Sequence, residues 1–152
     1  MKRKQIKKKY LYYKKNFMTA HESFYYNIFK DLEFELNVIV QPQIPLISIV
    51  NRKKDYDSEY PYELNRIIDF GIFSRDYKEL ILLIEIGDNS HKNRKRTIRD
   101  KNVKSICDSV GIMIITFRPE KFVNENEARE YLRKQIVSYY DIDKEGTMFE
   151  NV

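Results

Sequence analysis

The sequence has a single cysteine, Cys107, and no apolar run long enough to span a bilayer. One cysteine excludes an internal disulfide framework and a cysteine-rich zinc site, so we expect Cys107 to be a small buried residue of a helix. The first residues are too charged for a signal peptide and lack its apolar stretch. These absences favour a cytoplasmic protein with no membrane partner.

Acidic residues are absent from the first fifteen positions, eight of which are lysine or arginine. Without these eight, the 28 basic residues of the chain fall to 20, against 23 acidic ones. The basic character therefore resides largely in this arm. Such an arm is typical of a contact with nucleic acid or another anionic surface, and Lys7, Lys8 and Lys9 are candidates for the nucleic-acid contact. The alternative interpretation is a solvated tail that aids solubility.

The length and composition predict one folded domain. A chain of 152 residues with 42 % apolar and 34 % charged content can bury one core beneath a charged surface. We expect a basic arm over residues 1–17, a domain over 18–140 and an acidic tail over 141–152.

The spacing of apolar residues, together with capping residues and prolines, predicts three helices and four strands. Thr19 is a favourable N-cap for a helix from about Ala20 to about Leu36, and Glu22 stands at the third helical position of a capping box. The remaining elements are expected as a proline-broken edge strand over 38–50, strands over 66–73, 80–86 and 112–117, and helices over 97–110 and after Asn124. This order, α-β-β-β-α-β-α, predicts an α/β fold with a mixed central sheet flanked by helices.

Two carboxylates occur inside these strand-like apolar runs. Asp69 lies in the middle of one run and Glu85 closes the next, with a polar turn between the runs. A hairpin would bring the two side chains together, and burying them is costly unless a cation meets them. A divalent metal is the simplest such cation. Taken singly, Asp69 could be a bulge residue and Glu85 a strand end that emerges into water.

A second basic cluster follows Glu85 after a short polar loop. It begins with His91 and continues with Lys92, Arg94, Lys95 and Arg96. The simplest reason to hold a divalent metal beside such a basic surface is phosphodiester chemistry. The long polar stretch over 51–63 is a further candidate for substrate contact, or a simple surface insertion.

The element order, with Glu22 in the first helix, Asp69 in a core strand and Glu85-Ile86-Gly87 ending the next, resembles the PD-(D/E)XK nuclease superfamily, which has the restriction-endonuclease-like fold. The segment from Glu85 to His91, with the later Arg99-Asp100 and Gly111-Ile112, is similar to the branch around the very-short-patch-repair endonucleases. The resemblance covers roughly residues 19–117.

The resemblance implies a DNA endonuclease that depends on Mg²⁺ or Mn²⁺ and acts in repair, restriction or mobile-element processing. Asp69, Glu85 and the carbonyl of Ile86 would ligate the metal, and Glu22 would hold a metal-bound water or a second ion. Glu22 could equally serve only as a helix cap. His91 would position or deprotonate the attacking water, or protonate the leaving oxygen. The phosphates of the DNA backbone would be held by Lys92, Arg94, Lys95 and Arg96.

The chain departs from the superfamily pattern at Gly87, where a lysine is usual two residues after the glutamate. His91 or Lys92 could supply that role from the following loop. If neither does, the domain would be a non-catalytic nucleic-acid-binding module on a decayed nuclease fold. RNA stays open as a substrate, and cutting both strands with one site per chain would favour a homodimer.

Overall fold

The computed structural model describes residues 12–53, 63–87 and 94–140. In these ranges the chain is mixed α/β, with one four-stranded mixed sheet and three α-helices, which confirms the expected fold class. Chain order is α1 (Ala20–Leu36), β1 (Val38–Pro45), β2 (Ile67–Ser74), β3 (Leu80–Ile86), α2 (Arg94–Ser109), β4 (Ile114–Phe117) and α3 (Glu125–Tyr139). None of the helices in these ranges is both long and apolar enough to cross a membrane.

The sheet has the strand order β1-β2-β3-β4. β2 pairs antiparallel with both β1 and β3, while β3 and β4 are parallel and are joined through α2. In the β2–β3 hairpin, Phe70 lies opposite Ile84 and Gly71 lies opposite Leu83. β1 is an edge strand, as its two prolines predict, because proline cannot donate a hydrogen bond to a second neighbour.

Helix α1 begins and ends where its sequence predicts. The Thr19 hydroxyl accepts from the N–H of Glu22 at 3.1 Å, and the Glu22 carboxylate accepts from the N–H of Thr19 at 2.7 Å. This reciprocal capping box satisfies two N–H groups that the first helical turn leaves unpaired. The helix ends at Asn37, which adopts the left-handed conformation with φ of 53°.

Helices cover both faces of the sheet, so the domain has two cores. The residues of β3 alternate between them: Leu82 and Ile84 pack on the side of α1 and α3, whereas Leu83 packs on the side of α2. The first core also buries Phe29 of α1 and Phe117 of β4. The second core buries Val103, Ile44, Leu46, Ile68 and the lone cysteine of α2, as expected for a small apolar side chain.

Some element boundaries and orientations were predicted wrongly. The first strand ends at Pro45, and Leu46–Ser48 form a 3-10 turn instead of continuing it. α2 begins at Arg94, three residues earlier than expected. Ile98 and Val110 of this region were expected to point inward but are about half exposed. The N-terminal arm, most of the 51–63 stretch and the acidic tail lie largely or wholly outside the described residues.

Candidate functional site

Asp69 and Glu85 meet at one end of the β2–β3 hairpin. Continuing the observed register by one residue from the Phe70–Ile84 pair places them opposite each other. The Asp69 carboxylate also accepts a hydrogen bond from the N–H of Ile86 at 2.8 Å. This hydrogen bond from the backbone of β3 to a side chain of β2 fixes Asp69 beside the end of β3. The sequence prediction that these two residues lie close together is confirmed.

Glu85 lies in an environment that disfavours its negative charge. Its side chain is only 17 % exposed. Burial, the charge of Asp69 and a hydrogen bond shared with Asp69 raise the pKa of Glu85 to about 8, although Arg66 opposes the shift. Two neighbouring carboxylates that resist joint ionisation form a site where a bound cation would relieve an existing repulsion.

Arg66 joins this pair to helix α2. Its Nη2 lies 3.3 Å from Glu85 Oε1 and 2.9 Å from Asp100 Oδ1. Asp100 is therefore tied to the site through an arginine, and not only through its own helix. Arg66 was not among the predicted site residues. The available signal was its position, three residues before Asp69 and directly before an apolar strand.

The acidic pair opens into a cleft of about 660 Å³. Five elements or their flanking residues contribute to its walls: the start of α1, β2, the end of β3, α2 and β4. The polar and charged lining residues are Thr19, His21, Glu22, Arg66, Asp69, Glu85, Arg96, Thr97, Asp100, Lys101, Lys104 and Thr116. Asp69 and Glu85 line the cleft from the sheet, while Arg96, Lys101 and Lys104 line it from α2, together with Asp100. This lining suits a ligand that carries both a bound cation and negative phosphates.

Glu22 both caps α1 and lines the cleft. The capping interpretation is confirmed by the two hydrogen bonds with Thr19. One carboxylate oxygen accepts from the Thr19 N–H, and the side chain stands in the wall that also contains Asp69 and Glu85. The helix start therefore positions a third carboxylate at the cleft.

A basic groove of about 460 Å³ adjoins the cleft and is lined by Arg66, Lys95, Arg96 and Arg99. Three basic residues, Arg94, Lys95 and Arg96, open helix α2, and its first turn has no acidic residue. This arrangement opposes the positive end of the helix dipole, so it costs stability and raises the local positive potential. A phosphate would offset both effects. Of the residues in the groove, Arg99 and Arg66 were not predicted as phosphate contacts.

Gly87 leaves no room for a longer side chain without movement of its neighbours. A Cβ atom there would lie 3.0 Å from Thr116 Cγ2 and 3.1 Å from Arg118 Cγ. The N–H of Gly87 donates to the Phe117 carbonyl at 2.8 Å, which anchors the end of β3 to β4. The Arg118 side chain therefore passes beside the position that a Cβ atom of residue 87 would occupy.

The donor set at the acidic pair fits a hard divalent cation. Mg²⁺ commonly uses one or two protein carboxylates and keeps several waters. One carboxylate oxygen of Asp69 accepts the hydrogen bond from the Ile86 N–H. The Ile86 carbonyl and the Gly87 N–H belong to the same planar trans peptide and so point in opposite directions. Because the Gly87 N–H donates to Phe117 of β4, the Ile86 carbonyl points away from β4. Within residues 12–53, 63–87 and 94–140, no three acidic, histidine or cysteine side chains form a metal-binding group. Asp69, Glu85 and the Ile86 carbonyl are the residues that would hold the ion.

Several predicted site residues cannot be located relative to this cleft. His91, Lys92, Lys7, Lys8 and Lys9 lie outside the described residues. Arg94, Lys95 and Arg96 are described, and all three are exposed in the first turns of α2.

Comparison with known families assigns the chain to one family without a known role. Residues 14–136 match the model of the family described as "Protein of unknown function (DUF2726)", and the chain belongs to that family. The matched span contains all the elements from α1 to β4 and most of α3. The comparisons with curated proteins and with solved structures found no match.

Proposed function

We propose that this member of the DUF2726 family is a Mg²⁺- or Mn²⁺-dependent endonuclease that hydrolyses phosphodiester bonds of DNA, on a restriction-endonuclease-like fold. The observation that carries the proposal is the pairing of Asp69 and Glu85 on adjacent strands, at a cleft that three basic residues of α2 also line. Metal-dependent hydrolysis of a phosphodiester needs both features: hard oxygen ligands for the ion and cations for the phosphates.

Each wall of the cleft has a separate task in this proposal. Asp69 and Glu85 would hold the cation, with the Ile86 carbonyl beside them. When bound, the cation supplies charge stabilisation and makes water a better nucleophile at neutral pH. Lys95 and Arg96 of α2 would hold the DNA backbone, and Glu22 would orient water from the start of α1.

His91 and Lys92, which lie outside the described residues, complete the proposed site. His91 would transfer a proton to or from the reacting oxygens, and Lys92 would bind the phosphate next to it. Both residues follow directly from the end of β3, which carries Glu85, and precede the basic start of α2. A role in repair, restriction or mobile-element processing, a cytoplasmic location and a homodimer for double-strand cutting belong to the same proposal.

The alternative is a nucleic-acid-binding module without catalysis, and Gly87 favours it. The residue at this position cannot supply a charge near the phosphate, and Arg118 crosses the space beside it. Such a module would bind DNA with an affinity that falls steeply as salt rises, and it would leave the strand intact.

Cleavage assays distinguish the two functions. Supercoiled plasmid and short single-stranded DNA are incubated with Mg²⁺ or Mn²⁺, with wild type beside Glu85→Gln. Glu120→Gln, at an exposed glutamate outside the cleft lining, is the matched control. Nuclease function predicts metal-dependent cutting by wild type and the control, with a loss of at least about 100-fold in Glu85→Gln. DNA binding without cutting by wild type would establish the module instead.

A further inference from the structure

Arg66 stands at the boundary between the acidic cleft and the basic groove. It lines both, together with Glu85 on one side and Lys95 on the other. Its backbone is fixed directly before β2, because its carbonyl accepts from the N–H of Leu46 at 2.8 Å. Its side chain is 21 % exposed, so the guanidinium is held by the protein yet open to a ligand.

Within the part of the chain that the structure describes, the guanidinium contacts carboxylates through one of its three nitrogens. Both the Glu85 and the Asp100 contacts are made by the same nitrogen, Nη2. Arginine has five N–H donors in a planar fork that matches phosphate oxygens. The other two nitrogens, Nε and Nη1, are not engaged by either of these carboxylates.

The two carboxylates hold Arg66 through imperfect contacts. The Glu85 contact is long, at 3.3 Å. The Asp100 contact is shorter, at 2.9 Å, but it is an ion pair without hydrogen-bond alignment, and Asp100 Oδ1 is buried without a hydrogen bond from the described residues. A buried carboxylate oxygen in this state is costly, so the arrangement favours a change that realigns the guanidinium.

We propose that Arg66 binds a phosphate of the nucleic-acid backbone at this boundary, exchanging Glu85 for phosphate oxygens while Asp100 keeps it in place. The inference deepens the proposed function, on which it rests for the identity of the ligand. Glu85 then remains with Asp69 and the proposed cation at the acidic pair. Asp100 is a positioning residue, because it acts on the phosphate only through Arg66. The phosphate held by Arg66 would connect the cleft to the groove formed by Lys95, Arg96 and Arg99.

The simpler role for Arg66 is to neutralise Glu85, and a double-variant design separates the two. In the Glu85→Gln background residue 85 is uncharged at every pH, so a counter-ion is no longer needed there. Binding of fluorescein-labelled single-stranded DNA is measured by fluorescence anisotropy in EDTA, at several salt concentrations. Glu85→Gln is compared with Glu85→Gln/Arg66→Gln, which keeps a hydrogen-bonding group near Asp100.

Loss of one phosphate contact has a defined signature. Arg66→Gln in this background should weaken binding about 3- to 10-fold and lower the slope of log K against log salt by about 0.7. Arg66→Lys should keep the slope, since the charge remains, with an affinity between the two. Arg75→Ala, in the β2–β3 turn at the other end of the hairpin, is the matched arginine control and should change neither quantity.

An unchanged slope and affinity in Glu85→Gln/Arg66→Gln, with a normal melting temperature, would overturn the inference and leave Arg66 as a counter-ion only. If this variant does not fold, an affinity of Glu85→Gln/Arg66→Lys equal to that of Glu85→Gln would overturn it equally, because lysine cannot replace the planar fork of arginine at a phosphate. The result is separable from nuclease activity. If the slope is lowered but wild type cuts no DNA, Arg66 is still a phosphate ligand and the proposal of nuclease activity fails. Absence of DNA binding in every variant would overturn both proposals.

Discussion

At the scale of single residues, the site is an unfavourable arrangement of like charges. Asp69 and Glu85 oppose each other on neighbouring strands, and Arg66 partly offsets the charge of Glu85 from the side. Proteins keep such arrangements where a ligand completes them, since perturbed carboxylates cluster at functional sites. Variants that keep the shape of a side chain and change its charge separate this role from that of a structural ion-pair network.

Glu85 should make the stability of the metal-free protein fall as pH rises. Its pKa is about 8 in the folded state against 4.5 as the reference for the unfolded chain, so the folded state binds the extra proton between these values. The stability present below about pH 4.5 is therefore lost as pH rises through about 8. Melting temperatures in EDTA should show Glu85→Gln gaining over wild type by several degrees as pH rises. A pH-independent difference between the two would contradict the assigned environment.

Much of this residue-scale picture was predictable from sequence, and one part was not. Asp69 and Glu85 could be placed together because a hairpin needs only two apolar runs and a polar turn between them. The role of Arg66 was not predictable. Nothing in a linear sequence shows that its side chain reaches Asp100, which lies 34 positions later on helix α2. Long-range ion pairs depend on packing angles that periodicity does not contain.

At the scale of elements, the start of α1 combines a structural and a chemical task in Glu22. Glutamine preserves a capping box, so Glu22→Gln should leave the free energy of unfolding within about 0.5 kcal/mol of wild type. If the carboxylate also acts in the cleft, metal-dependent cleavage should fall by about 10-fold or more. Urea denaturation and plasmid cleavage measured on the same preparation check both parts. Unchanged cleavage would leave Glu22 as a helix cap only.

The hydroxyl of Thr19 provides the converse variant. Thr19→Ala removes the acceptor for the N–H of Glu22, so the protein should lose about 1 kcal/mol of unfolding free energy. Cleavage by the fraction that stays folded should remain within about 3-fold of wild type, because the carboxylate is retained. A loss of activity as large as that of Glu22→Gln would contradict a separate chemical task for Glu22.

Strand β2 requires a glycine at its centre. A Cβ atom on Gly71 would lie 2.9 Å from the Phe73 ring and 3.0 Å from Ile44 Cγ1, both of which pack in or against the second core. Gly71→Ala should destabilise the domain by about 1–3 kcal/mol through overpacking. Urea denaturation measures this, and a neutral effect would show that Phe73 and Ile44 can move without cost.

Element boundaries were predictable where local chemistry decides them. Thr19 and Asn124 mark helix starts correctly, since each accepts a hydrogen bond from the third helical residue. The predicted end of β1 was wrong. Leu46 is buried in the second core, but it belongs to a 3-10 turn whose sequence is as apolar as that of a strand. A short apolar run does not distinguish these structures.

At the scale of the whole molecule, charge is divided between the N-terminal arm and the domain. The arm contains eight basic residues in fifteen positions, and the described domain places further cations along α2. If the two surfaces bind the same nucleic acid, their contributions should add, because phosphate contacts act largely through counterion release.

Deletion of residues 1–15 tests that addition. The truncated protein should fold with an unchanged melting temperature, bind DNA more weakly, and show a lower slope of log affinity against log salt. The slope should fall by more than one unit if several lysines contact phosphates. An unchanged dissociation constant at physiological salt would show that the arm is only a solvated tail.

Asp69 and Glu85 are proposed to bind a divalent cation, and Mn²⁺ binding measured by electron paramagnetic resonance tests this most directly. Wild type and Glu120→Gln are expected to bind one tight Mn²⁺ per chain, displaceable by Mg²⁺, while Asp69→Asn and Glu85→Gln lose this site and keep their fold by circular dichroism. Retention of tight Mn²⁺ binding in both variants, or its absence in folded wild type, would contradict the assignment of Asp69 and Glu85 as the metal site.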